Sequence, residues 1–181
     1  MTVLTDLSGS YAIDPAHSEI GFVARHAMIT KVRGSFTDVA GTATAAGAQL
    51  AGSTIAVTIQ TTSVDTRNAD RDAHLRGDDF FDVEKYPTIT FASTSVAAAD
   101  DHLLVTGDLT IKDVTRAVTI DFEFTGGATD PFGNERIGFE GSTTVNRKDF
   151  GLTWNAALGA GGVLVSEKVT LEFEISAIKT A

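Results

Sequence analysis

At 181 residues with a formal net charge of −10 and no cysteine, the chain suits one domain able to bury its core without covalent staples. Zero cysteines exclude disulfides, thiolate catalysis and Cys-ligated metal sites. The acidic balance disfavours nucleic acid and anionic membrane surfaces as partners, because no basic patch stands out to attract either.

In chain order, the opening "MTVLTDLSGSYAIDPAHS" lacks a basic start, a long apolar run and a small-residue cleavage site, so a cytoplasmic chain is expected. Residues 1–10 read as a flexible segment ahead of a single domain at 11–179. No stretch approaches the roughly 20 apolar residues that span a bilayer, so stable membrane insertion is not expected. Glu19–His26 alternates with period two, placing Ile20, Phe22, Ala24 and His26 on one face. Lys31–Ala45 reads as a further strand, and Thr54–Gln60 sets Ile55, Val57 and Ile59 against Thr54, Thr58 and Gln60.

The run "NADRDAHLRGDDFFD", Asn68 to Asp82, breaks this rhythm. Asn68 suits an N-cap, Asp70 and Asp72 the positive start of a helix, Arg76 its negative end and Gly77 the C′ position. A short helix over 69–76 is predicted, with Asp72 and Arg76 as an i,i+4 pair. Nucleation is too costly for so short a helix to stand alone, so Leu75, Phe80 and Phe81 are the expected anchors.

Strands resume at Thr88–Val96, His102–Lys112, Val118–Phe124, Glu135–Arg147 and Val169–Ile175. The clearest is Val118, Ile120, Phe122 and Phe124 alternating with Thr119, Asp121 and Glu123. One polar face per strand argues for antiparallel pairing, and about eight strands fit an all-β sandwich or small barrel.

Chemistry-bearing residues have bland alternatives. Asp70 and His74 share a helix face and could hold a metal, but the second histidine of a HExxH-type motif is missing, and capping explains the acids. His17 and Ser18 are adjacent and would point to opposite faces of a strand, so they make no base and nucleophile pair. Gly159, Gly161 and Gly162 lack dinucleotide-loop spacing and read as a hairpin turn. His26 ends an apolar face, and "NRKDFGLTW" mixes Arg147 and Lys148 with Phe150 and Trp154.

Five blocks in order, "IDPAHSEIGFVARH" at 13–26, "VRGSF" at 32–36, "DTRNADRDAHLRGDDFFDVEKYPTITF" at 65–91, "GDLTIKDVTRAVTI" at 107–120 and "NRKDFGLTW" at 146–154, resemble the YceI-like family. The likeness runs from Tyr11 to Ile178 and departs at Asp113, where the family often has Gly, and at the amino terminus, where many relatives carry an export signal. The resemblance implies a lipocalin-like antiparallel barrel around an elongated apolar cavity for a polyisoprenoid or similar amphiphile, in a carrier rather than a catalyst.

On that footing the cavity candidates are Ile20, Phe22, Ile55, Val57, Ile59, Phe80, Phe81, Phe91, Phe122, Phe139 and Trp154. The head-group candidates are His17, His26, Arg67, Arg76 and Arg147, with arginines suited to a pyrophosphate. A bound isoprenoid or other long-chain lipid is the expected ligand, with no cofactor, no catalytic residue and no metal. A homodimer is left open. The alternative is a metal-dependent hydrolase or isomerase using Asp70 and His74.

Overall fold

The computed structural model describes residues 2–181. Three of its staves are broken strands. β1 (Ser8–Ile13) and β2 (Glu19–His26) are halves of one stave, interrupted by a turn at Pro15–His17 that Asp14 caps by accepting from the Ala16 amide. Pro15 has no N–H for a ladder, so the strand stops there. β3 (Thr30–Phe36) and β4 (Val39–Ala46) are parted by Thr37 and Asp38, and β5 (Thr54–Gln60) and β6 (Val64–Asp65) by a turn at Thr61–Ser63. β7 (Thr88–Ala99), β8 (His102–Ile111), β9 (Val114–Thr129), β10 (Glu135–Asn146) and β11 (Lys168–Lys179) are unbroken.

Every pairing is antiparallel, and the ring runs β1-β4-β5-β7-β8-β9-β10-β11 and back to β1. β11 closes it by carrying β1 on its last residues, from Tyr11↔Lys179 to Ile13↔Ala177, and β2 on its earlier ones, from Val23↔Thr170 to Glu19↔Glu174. The roughly eight strands expected from the alternation are therefore present, closed into the barrel that the family resemblance implies. Lys31–Ala45, however, is two strands rather than one, because the chain bends at Thr37 and Asp38 to serve both β2 and β1.

The expectation for residues 1–10 is corrected over the described part, Met1 lying outside the described residues. Leu4 and Leu7 are buried, and Ser8, Gly9 and Ser10 pair with β4. With Leu50, Val96, Leu103 and Val105 they fill one end of the barrel. A second cluster, including Ile89, Ile111, Phe80, Phe150 and Leu152, fills the other.

The helix α1 (Ala69–Arg76) has the predicted bounds, and Asn68 caps it by accepting from the Arg71 amide at 3.0 Å. Gly77 is extended, with φ −75°, instead of the left-handed C′ residue. The Asp72–Arg76 pair also fails to form, because both side chains have better partners. Buried Asp72 accepts from the Thr66 amide at 2.8 Å and the Thr66 hydroxyl at 2.5 Å, while Arg76 donates to the carbonyls of Thr62 (2.9 Å) and Val64 (3.1 Å). The helix is thereby tied to the strand end before it, and Leu75, Phe80 and Phe81 anchor it to the core.

A charged clasp joins the β1–β2 break to the β9–β10 turn. Arg136 donates from Nη1 to Asp14 at 2.6 Å and from Nε to Asp130 at 2.7 Å. Arg136 first, then His17, holds the Asp14 carboxyl down at about 2. A depressed folded pKa contributes stability that is full above the ordinary carboxyl value and lost as pH falls through the folded one. Arg136→Gln should therefore lower the denaturation midpoint at neutral pH, the deficit shrinking as pH falls from near 4 through about 2, with a remainder from Asp130, which Asn134 and Arg136 hold lower still. Denaturant titrations of both proteins across that range check it, and a pH-independent deficit would show that the clasp is not electrostatic.

Candidate ligand-binding cavity

Between the two plugs lies a cavity of about 270 Å³. The inward positions of the strands dictate its walls: Ile20 and Phe22 from β2, Ile55, Val57 and Ile59 from β5, Phe91 from β7, Phe122 from β9 and Phe139 from β10. Phe80 and Phe81, beyond α1, complete the lining. Apart from Tyr11, Thr42, Thr90 and Arg147, the lining side chains are hydrocarbon or glycine. Water needs several polar partners, so an apolar void of this kind stays dry.

Inward-facing glycines keep the lumen open. A Cβ on Gly34 would meet the end of the Phe22 ring at 2.3 Å, one on Gly107 the Phe91 ring at 2.5 Å, and one on Gly141 the Phe122 ring at 2.7 Å. Each ring occupies the space that a side chain of its neighbouring strand would fill, so it lies along the wall instead of across the barrel. The signal in the sequence is a lone glycine at an inward position of an alternating strand, which marks close approach of a neighbour.

Trp154 is a correction: it is not in the lining. Its ring stands 4.7 Å from His74 and 5.4 Å from Phe80, so it backs the helix-side plug from outside. His74 also contacts Phe80, at 5.0 Å, and its Nε2 engages Asp79 at 2.8 Å rather than Asp70. Among the described residues no group of three His, Asp or Glu side chains is arranged to hold a metal ion.

Of the head-group candidates, only Arg147 reaches the cavity. His17 is exposed and bonded to Asp14 at 2.7 Å; His26 is exposed at the end of β2; Arg67 is exposed at a left-handed turn, φ 61°; and Arg76 is held by the carbonyls of Thr62 and Val64. Arg147 is buried, and its guanidinium donates to the carbonyls of Ser166 (2.8 Å), Leu152 (2.6 Å), Trp154 (2.9 Å) and Val165 (3.3 Å). Burial pulls its pKa down, against the pull of the Glu167 charge. Four carbonyls take four of the five guanidinium donors, and Arg147 turns almost no polar surface towards the cavity.

A family model for the YceI-like domain matches residues 11–177. Protein YceI of Escherichia coli O157:H7 is 41% identical over 148 residues, 81% of this chain and 78% of that protein. A UPF0312 protein of Pseudomonas aeruginosa strain LESB58 is 43% identical over the same shares. Among solved structures, a Campylobacter jejuni YCEI protein is similar at TM-score 0.73 and 32% identity, covering 87% of this chain and 90% of that one. Burkholderia cenocepacia BcnA shares the fold at TM-score 0.78 and 24% identity, covering 91% and 98%. So does a polyisoprenoid binding domain from Saccharophagus degradans, at TM-score 0.73 and 18% identity, covering 94% and 98%.

All the atoms nearest a Cβ at Gly34 belong to the Phe22 ring, so Gly34→Ala should push that ring into the lumen and weaken uptake of an apolar fluorophore. The double variant Gly34→Ala/Phe22→Ala should restore uptake; a titration in which Gly34→Ala binds like the parent would reject the wall-gauge role. Arg147→Met strands four carbonyls at roughly 1–3 kcal/mol for each one left buried. A fall in melting temperature should reveal this, and an unchanged melt would show that the carbonyls re-pair elsewhere.

Proposed function

The chain belongs to the YceI-like family, and on that premise we propose that its barrel binds a long-chain isoprenoid or related amphiphile, acting in storage or transport rather than catalysis. The observation that carries this reading is the hydrocarbon-lined cavity flanked by apolar clusters. It has the character of a tail site: at roughly 0.8 kcal/mol per buried methylene, a prenyl tail gains more than any single head-group contact, worth about 1.5–3 kcal/mol even when charged. Immobilisation offsets part of that gain. The similarity in fold to a domain described as polyisoprenoid binding supports the same ligand class.

The head-group reading narrows to Arg147. Arg147 alone of the candidates borders the cavity, and as a buried cation it would act on a head group through its charge. The hydrolase alternative gains no support from geometry, since His74 is committed to Asp79 and to an aromatic clamp.

Native mass spectrometry and organic extraction of the purified protein test the proposal. The expected result is a long-chain isoprenoid near one per chain, reduced in Phe81→Ala, and uptake of an added long prenyl alcohol by stripped protein. Protein that retains no lipid and takes up none of the alcohol overturns it, and stoichiometric metal lost on His74→Ala would favour the enzymatic alternative.

A further inference from the structure

The tip of the β2–β3 hairpin combines left-handed backbone with exposed apolar side chains. Ala27 (φ 51°) and Met28 (φ 61°) occupy successive left-handed positions, and the Ile29 amide donates to the His26 carbonyl at 3.0 Å. Asn and Gly take these positions at less cost. At the same barrel end, the β8–β9 turn uses polar Lys112 and Asp113 in the same geometry. Here the turn instead presents Met28 and Ile29 to solvent, 57% and 75% exposed. Strained backbone holding apolar side chains in water is an outlier that calls for a functional reason.

The tip is built firmly and has uncharged company. The Ala27 amide donates to the Leu164 carbonyl at 2.8 Å, and His26 pairs with Val165. The Asn155 side chain grips both backbone groups of Val165, at 2.8 and 3.0 Å. The loop so attached, "AALGAGGVL" at 156–164, carries no charge.

On the hairpin itself the charge reverses sign, and Glu167, beside Lys168, is paired with Lys148 at 2.7 Å. Between Glu19 and Asp38 every Asp, Glu, Lys or Arg is a cation: Arg25, Lys31 and Arg33. Arg33 has Glu172 at 3.0 Å. Arg25 and Lys31 stand directly opposite each other on the ladder, and neither has a carboxylate partner among the described residues. Like charges in that relation destabilise a sheet unless an anion lies between them. Lys168, also free of a carboxylate, starts β11 two residues after Ser166, whose amide donates to the Arg25 carbonyl. The net charge of −10 conceals this local cluster.

We propose that the β2–β3 hairpin tip is a docking surface for an anionic lipid bilayer. Met28 and Ile29 enter the acyl boundary while Arg25, Lys31 and Lys168 meet lipid phosphates. Exposed apolar side chains ringed by cations are the pattern of peripheral membrane contact, strengthened by anionic lipid and weakened by salt. No helix among the described residues is long and apolar enough to cross a membrane, and this contact needs none. The docking stands apart from what the cavity holds, so each can fail without the other.

Co-sedimentation with phosphatidylcholine vesicles, with and without phosphatidylglycerol, tests it. The parent should bind the mixed vesicles several-fold better than the neutral ones, and high salt should release it. Met28→Ser/Ile29→Ser and Arg25→Gln/Lys31→Gln should each cut binding several-fold while melting temperature and retained small molecule, read on the same samples, stay unchanged. Absence of binding at low salt, or equal binding by both double variants and the parent, overturns the proposal. Self-association abolished by Met28→Ser/Ile29→Ser, without vesicle binding, overturns it in favour of an interface between copies.

Discussion

The seam between β11 and the broken β1–β2 stave, three residue pairs to β1 and five to β2, closes the sheet, and the rest of the molecule depends on it. Closure turns a curled sheet with two exposed edges into a barrel with none. It also gives every strand an inside. With eight staves that interior is only wide enough for packed side chains or one slender ligand. Which of the two it becomes is decided by what stands at the inward positions, and Gly34, Gly107 and Gly141 let three phenylalanines lie along the wall.

The ends are shut by different means. At one end Leu4, Leu7 and Leu50 fold into the opening. At the other, a helix too short to stand alone is held by Asp72 on Thr66 and by Arg76 on two carbonyls, delivering Phe80 and Phe81 to the lumen. Trp154 packs behind that plug, and Arg147 fixes the Trp154 carbonyl together with three more. The polar residues of this end thus act on backbone and leave the lumen to hydrocarbon. Arg147 is satisfied by four carbonyls behind the wall, so the lining that a ligand meets is hydrocarbon.

Much of this was legible in the sequence because period-two alternation reports directly on inside and outside. Ile55, Val57, Ile59 and Phe122 stand on the apolar face that their alternation marks, and all four line the lumen. The bounds of α1 were legible because Asn68 and the acids after it are local signals. What escaped was set by contacts between distant parts of the chain. "SGSYAI" alternates too weakly to announce β1, and nothing local tells that Leu4 and Leu7 find a barrel end. Trp154 follows the inward Val145 only after a turn at Arg147–Phe150, so strand parity no longer assigns its side. Arg76 and Asp72 have ideal helical spacing, yet tertiary partners outbid a surface pair worth only a few tenths of a kcal/mol. The arginines and histidines chosen for a head group share a chemistry but not a place, and only topology separates Arg147 from the others.

The central claim is that the cavity is dry and takes an apolar tail. Burial of apolar surface on binding leaves one robust mark, a negative heat-capacity change. Calorimetric titration of lipid-stripped protein with a long prenyl alcohol at several temperatures measures it directly. The account predicts a clearly negative value that grows with the number of prenyl units. A value near zero, or one independent of tail length, would contradict it.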